Sequence, residues 1–201
     1  MRSLFLRYSW GLVLVLADIR IQQFDLLVDF IGYAMIVSAT TGLSRFRPGY
    51  RKGLPWAVLL MLFSVTDIIP ILGEPSSSGT TTIARLLFGG LVMLLTWLLI
   101  HLLLSEMLQH ARDLRRKWLA QAVENRRLAY GVVSAGVLLY MPFTINGTET
   151  VHALFPILLT IVGLIAQVVI VFTCRRAAKE LQEPILPEVH SENVPPGEGE
   201  E

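Results

Sequence analysis

Six apolar runs separated by polar breaks set the pattern of this chain: residues 3–21, 25–43, 54–73, 83–104, 128–145 and 151–174. A helix needs about 20 apolar residues to cross a hydrocarbon layer about 30 Å thick. The pattern therefore predicts an all-α fold, a polytopic membrane bundle of six transmembrane helices. The first run is broken by Arg7, leaving an uninterrupted core over 8–17. That core has the length of a signal-peptide apolar region, and Val15-Leu16-Ala17 offers a small-residue cleavage pattern. The alternative is a true first helix, with Arg7 snorkelling to one surface and Asp18 and Arg20 at the other. In the third run Pro70 is tolerated as a kink, and residues 74–82 read as a flexible polar loop. In the fourth run Gly89-Gly90 predicts close helix approach, and in the fifth Gly131 and Ala135 stand at small-xxx-small spacing. Asn146-Gly147-Thr148 matches a glycosylation pattern, but it lies in a turn too short and too close to the membrane to carry weight.

Two segments depart from this pattern. Residues 105–127 are too polar to span, yet Met107, Leu108, Ala111, Trp118, Leu119 and Ala122 recur at helical spacing. They predict an amphipathic linker, either lying along the inner surface or serving as an ordinary basic loop with helical content. From Glu180 onward glutamates alternate with Pro184, Pro187, Pro195 and Pro196. Such a segment buries too little apolar surface to offset chain entropy, so 180–201 is expected to be a disordered acidic tail after a 1–179 membrane domain.

Composition sharpens the class: 53% of the 201 residues are hydrophobic, 16% are charged, and the mean hydropathy is +0.58. A soluble domain carries roughly a quarter charged residues. The lone Cys174 excludes an internal disulfide and any multi-cysteine metal site. The distribution of charge says more than its total of +1. Fifteen of the seventeen Lys and Arg fall on one side of the predicted topology, and only Arg20 and Arg85 on the other. By the positive-inside rule the crowded side is cytoplasmic, which puts both termini there and the protein in the bacterial cytoplasmic membrane.

The stretch Phe24-Asp25-Leu26-Leu27-Val28-Asp29-Phe30-Ile31-Gly32-Tyr33, after Asp18-Ile19-Arg20-Ile21, resembles small multi-pass membrane proteins of Gram-positive bacteria. Those proteins have no settled function, so the resemblance implies a location and a fold type but no activity. It covers roughly the first 45 residues. It also runs across the possible cleavage point, which favours an uncleaved first helix. Where that family typically has Pro before the second Asp, this chain has Val28.

Candidate chemistry is sparse. There is no nucleotide-binding loop, zinc motif or nucleophile elbow, and no sign of a nucleic-acid partner. No cofactor or metal is expected, and the protein is read as non-enzymatic. His101 reads as a structural histidine. Glu106 and His110, four apart in a polar stretch, read as a surface pair. One constellation stands out: Asp18, Arg20, Asp25, Asp29, Asp67 and Arg85 all belong to the outer part of the predicted bundle. Four acids against two arginines leave two formal negative charges in excess. In a dry site not all four can ionise, so Asp29 is expected to be protonated or open to an outer pocket. The plainer alternative is that the acids pair with the arginines and hold the bundle together.

Two functions follow. The first is a non-catalytic accessory, assembly or sensing component of the membrane. The second is a small proton- or cation-linked transporter or channel subunit, with Ser38, Thr40, Thr96, Ser134 and Gln167 extending a path inward. The expected partners are the bilayer itself and anionic lipid at Arg112, Arg115, Arg116 and Lys117. A membrane-protein partner and a second copy of the chain stay open as further contacts.

Overall fold

The computed structural model describes residues 1–17, 25–66, 79–142 and 149–181. These form α1 (Arg2–Ala17), α2 (Asp25–Phe46), a 3-10 segment (Pro48–Gly53), α3 (Leu54–Thr66), α4 (Gly79–Asp113), α5 (Lys117–Tyr140) and α6 (Glu149–Glu180). The described residues contain no strand. Of the acidic tail expected over 180–201, Glu180 ends α6 and Leu181 is buried at 1% exposure, while the rest lies outside them, as do the breaks after α1, α3 and α5. At 1.5 Å per residue, the 35 residues of α4 and the 32 of α6 reach about 50 Å.

Among the described residues, two helical segments are long and apolar enough to cross a membrane, Leu86–Asp113 and Ile157–Glu180. The described parts of α1 and α3 are shorter, at 16 and 13 residues.

Each helix packs against the next in sequence, and α6 returns to α1, closing a ring. The direction alternates around the ring: Gly42 meets Leu4 while Gly32 meets Gly11, and Ser9 meets Val171 and Arg175. The basic segments therefore gather at one end. The core is filled by large apolar side chains from every helix, among them Phe5, Ile36, Leu60, Leu104, Leu119 and Ile170, each at most 1% exposed. The outside is apolar as well. Leu87, Val132 and Leu139 are 68%, 74% and 71% exposed, and α6 presents Ile157, Leu158, Ile161, Leu164, Ile165 and Phe172. Soluble monomers rarely expose contiguous apolar surface on this scale.

Hydroxyls inside the helices are satisfied locally. Thr40, Thr96, Ser105 and Thr173 donate to the carbonyls of Ile36, Val92, His101 and Val169, one turn back. Of the glycines the spacing singled out, Gly90 closely approaches the Met141 side chain, 3.3 Å from an added Cβ, but the close backbone-to-backbone approach occurs at others. A Cβ on Gly11 would stand 2.7 Å from the carbonyl oxygen of Gly32, and one on Gly32 would stand 3.0 Å from that of Gly11. This is the contact that glycine permits and alanine does not. Gly89 has nothing within 4 Å, and Gly131 meets only the Trp97 ring nitrogen, at 3.8 Å. A Cβ on either would have no neighbouring helix backbone within 4 Å.

The polar stretch 105–127 divides between the end of α4 and the start of α5. Four members of its apolar stripe serve the bundle's own core, with Met107, Leu108, Ala111 and Leu119 at most 3% exposed, whereas Trp118 is 63% exposed and Ala122 half-buried. The hairpin between the helices closes as a Schellman turn, with Arg116 N–H donating to Ala111 at 2.8 Å and Arg115 N–H to Arg112 at 3.0 Å. Arg115 takes the left-handed conformation, φ 54°, where glycine is usual.

Candidate functional site

Of the six residues in the expected outer polar cluster, Asp18, Arg20 and Asp67 lie outside the described residues. Asp25 is the first residue of α2 and Arg85 lies in the second turn of α4, but their side chains also fall outside the described set. Asp29 is described. It is half-buried in the second turn of α2, with Tyr33 one turn further on and within electrostatic range. The mutual geometry of the six is therefore not on view, whereas three other constellations are.

The first lies at the basic end. Glu106 and His110, expected as a surface pair, are 4% and 5% exposed. They fall on the seam Leu99, Leu103, Glu106, His110, whose spacing of four, three and four follows one face of α4, and the 3-10 segment covers that face. Lys52 Nζ donates to Glu106 Oε1 at 3.0 Å, and Arg47 Nε stands 3.9 Å from Glu106 Oε2. Arg47 Nη1 also reaches Asp113 Oδ2 at 2.6 Å. Gly49 lets the segment down onto the carboxylate, since a Cβ there would meet Glu106 Oε2 at 1.8 Å. Tyr50 is buried with its ring edge-on to Phe5 and His110, at 6.0 and 6.4 Å. Burial pushes the Tyr50 phenol well above its ordinary range, with Arg47 pulling the other way and Glu106 adding to the rise. The arrangement pins the α2–α3 connection to α4. Its legible signal was the seam, which continues the apolar face of α4 through two polar residues.

The second constellation is a string of cavities meeting at Gln167. A cavity of about 350 Å³ lies between Leu16, Met93, Tyr140, Leu159 and Gln167. A smaller one of about 140 Å³ adds Thr96, Tyr130 and Ser134. The last, of about 20 Å³, lies between Tyr33, Thr96 and Gln167 and has room for one water. Tyr33 is hydrogen-bonded with Thr96, and Tyr130 with Ser134 and Gln167. Nearer the basic end along their helices, Tyr8, Leu103, Leu104, Met107 and Cys174 are all at most 5% exposed, and Ile100 closes the innermost cavity.

The third is a collar of arginines at the basic end, tied mostly to neutral acceptors. Arg7 donates to Ser38 at 2.9 Å, Arg126 to Thr173 at 2.7 Å, Arg127 to Ser105 at 3.2 Å and Arg175 to Ser9 at 3.2 Å. Two stack on indoles: Arg175 over Trp10 at 4.8 Å and Arg176 over Trp118 at 3.8 Å. Between α1, α5 and α6 the collar opens into a groove of about 780 Å³. Composition and spacing reveal the excess of basic residues but not this groove, because its lining comes from three distant segments.

No protein-family model, curated protein or solved structure matches the chain. The reading of its function therefore rests on the residues themselves.

Proposed function

We propose that the protein is a six-span integral protein of the cell membrane with both termini on the cytoplasmic side. In this reading it acts without catalysis, as an accessory, assembly or sensing component. The apolar exterior and the gathering of basic residues at one end support the membrane reading and its orientation. The observation that carries the non-transport role is the buried layer of Tyr8, Leu103, Leu104 and Met107, nearer the basic end along their helices than the Gln167 cavities. A conducting path needs polar groups or water along its whole length.

The polar lining around Gln167 favours the second reading, a proton- or cation-linked transporter, in which the cavities form the outer half of a path. Two measurements test the proposal. External thiol labelling of intact cells is expected to modify Ser77→Cys and spare Arg116→Cys, and the reverse pattern overturns the orientation. Proteoliposomes holding the purified protein are expected to pass neither protons nor monovalent cations above the background of empty vesicles. A flux abolished by Asp29→Asn would replace the accessory reading with the transport one.

A further inference from the structure

The groove between α1, α5 and α6 is lined by both charged and apolar side chains. Arg2, Arg126, Arg175, Arg176 and Lys179 face it, and Glu180 is its one carboxylate among the described residues. Glu180 is taken by Arg176 at 2.5 Å. Arg126 and Arg175 are bonded to the neutral hydroxyls of Thr173 and Ser9. Five cations against one anion leave a formal +4 around a single groove. Such a concentration of like charge raises the energy of the folded state unless an anion is present. Trp10, Leu6 and Phe172 complete the lining, with Trp10 and Phe172 52% and 60% exposed. Arg175 is held in place by its stacking on Trp10, so its guanidinium is pre-set rather than free to search.

We propose that this groove binds the headgroup of one anionic phospholipid. Its phosphate would sit among Arg2, Arg175 and Lys179, and an acyl chain would run along Trp10 and Phe172. Planar guanidinium forks match phosphate oxygens, and a basic pocket between transmembrane helices at the cytoplasmic level is where such headgroups settle. The site differs from the diffuse attraction expected at Arg112, Arg115, Arg116 and Lys117. Of these, Arg112 already engages Glu124 at 3.0 Å, and the four are not part of the groove. The inference rests on the membrane reading above.

The test uses the full-length protein in nonionic detergent. It is titrated with phosphatidylglycerol, phosphatidylcholine or inorganic phosphate, and native mass spectrometry counts the lipids retained. One phosphatidylglycerol per chain is expected, held on the order of tenfold more tightly than phosphatidylcholine. Arg2 and Lys179 make no ion pair among the described residues, so Arg2→Gln/Lys179→Gln should fold as the parent by circular dichroism and lose that preference. Arg115→Gln/Arg116→Gln should keep it. Equal retention of the two lipids, or equal loss in both double variants, overturns the proposal. Inorganic phosphate that displaces phosphatidylglycerol at matched concentration would mark a small-anion site and overturn the lipid assignment. The six glutamates after Leu181 are the competing occupant. If removing residues 183–201 is what first permits phosphatidylglycerol to bind, the groove belongs to the tail and the proposal fails. The membrane reading fails separately, if the protein leaves native membranes in alkaline carbonate.

Discussion

Gly49→Ala isolates the contact that ties the α2–α3 connection to α4. Gly49 does not lie in the left-handed region, so its backbone accepts alanine, and the cost comes from space alone. The added methyl would stand 1.8, 2.3 and 2.7 Å from the three atoms of the Glu106 carboxylate, and nothing else is nearer. The carboxylate must leave, and its side chain, 5% exposed, is enclosed by the segment above it. Displacement breaks the Lys52 hydrogen bond and the Arg47 contact. Lys52 is 64% exposed and regains water, so the electrostatic loss falls at the low end for a charged hydrogen bond, about 1.5 kcal/mol. Overpacking adds about 1–2 kcal/mol. Gly49→Ala should therefore cost about 3 kcal/mol, and Glu106→Ala alone about 2 kcal/mol. In the double variant the methyl meets an emptied site, and its further cost should fall below about 0.5 kcal/mol. Glu106→Gln keeps the volume, so Gly49→Ala should remain costly in that background. Unfolding of the micelle-embedded protein by sodium dodecyl sulfate, followed by far-ultraviolet circular dichroism, measures the parent and all five variants. Additivity of the two alanine substitutions within about 0.5 kcal/mol would refute the contact.

The Tyr50 hydroxyl is buried with no hydrogen-bond partner among the described residues, so Tyr50→Phe should leave stability unchanged or raise it by about 1 kcal/mol. Above pH of about 10 the unfolded chain releases that phenolic proton while the folded chain keeps it, so Tyr50 removes about 1.4 kcal/mol of stability per pH unit up to its raised pKa. The Tyr50→Phe protein should lose stability less steeply over that window, and an identical alkaline profile would show that the phenol is hydrated. Arg115→Gly should raise the melting free energy by about 1 kcal/mol by relieving a left-handed arginine, whereas Arg115→Ala should not. Equal effects of Gly and Ala would trace the change to charge.

How much was legible in the sequence depends on whether the deciding interaction is local. The helical runs were readable, because helix formation and apolar transfer depend on segments of about 20 residues. Each of the six described helices falls on one of the six predicted runs. The asymmetry of Lys and Arg was readable for the same reason, since it needs only order along the chain. Spacing also predicted helical structure through Met107, Leu108 and Ala111, but as a surface linker or basic loop, whereas these residues are buried in the bundle. It could not tell lipid from protein as the cover, because α5 supplies that cover from beyond a turn.

Tertiary structure decided which glycines touch. Gly11 and Gly32 are twenty-one positions apart and meet only when α1 and α2 fold back on each other, whereas Gly89 faces open space and a Cβ on Gly90 would meet the Met141 side chain, at 3.3 Å, rather than a backbone. It buried Glu106 and His110, because the 3-10 segment over them comes from more than fifty residues earlier. It also gathered Arg2, Arg126 and Arg175 around one groove. Charge along a chain is additive and can be counted. A groove exists only where three helices fail to close on one another, and that depends on the packing of their side chains in space.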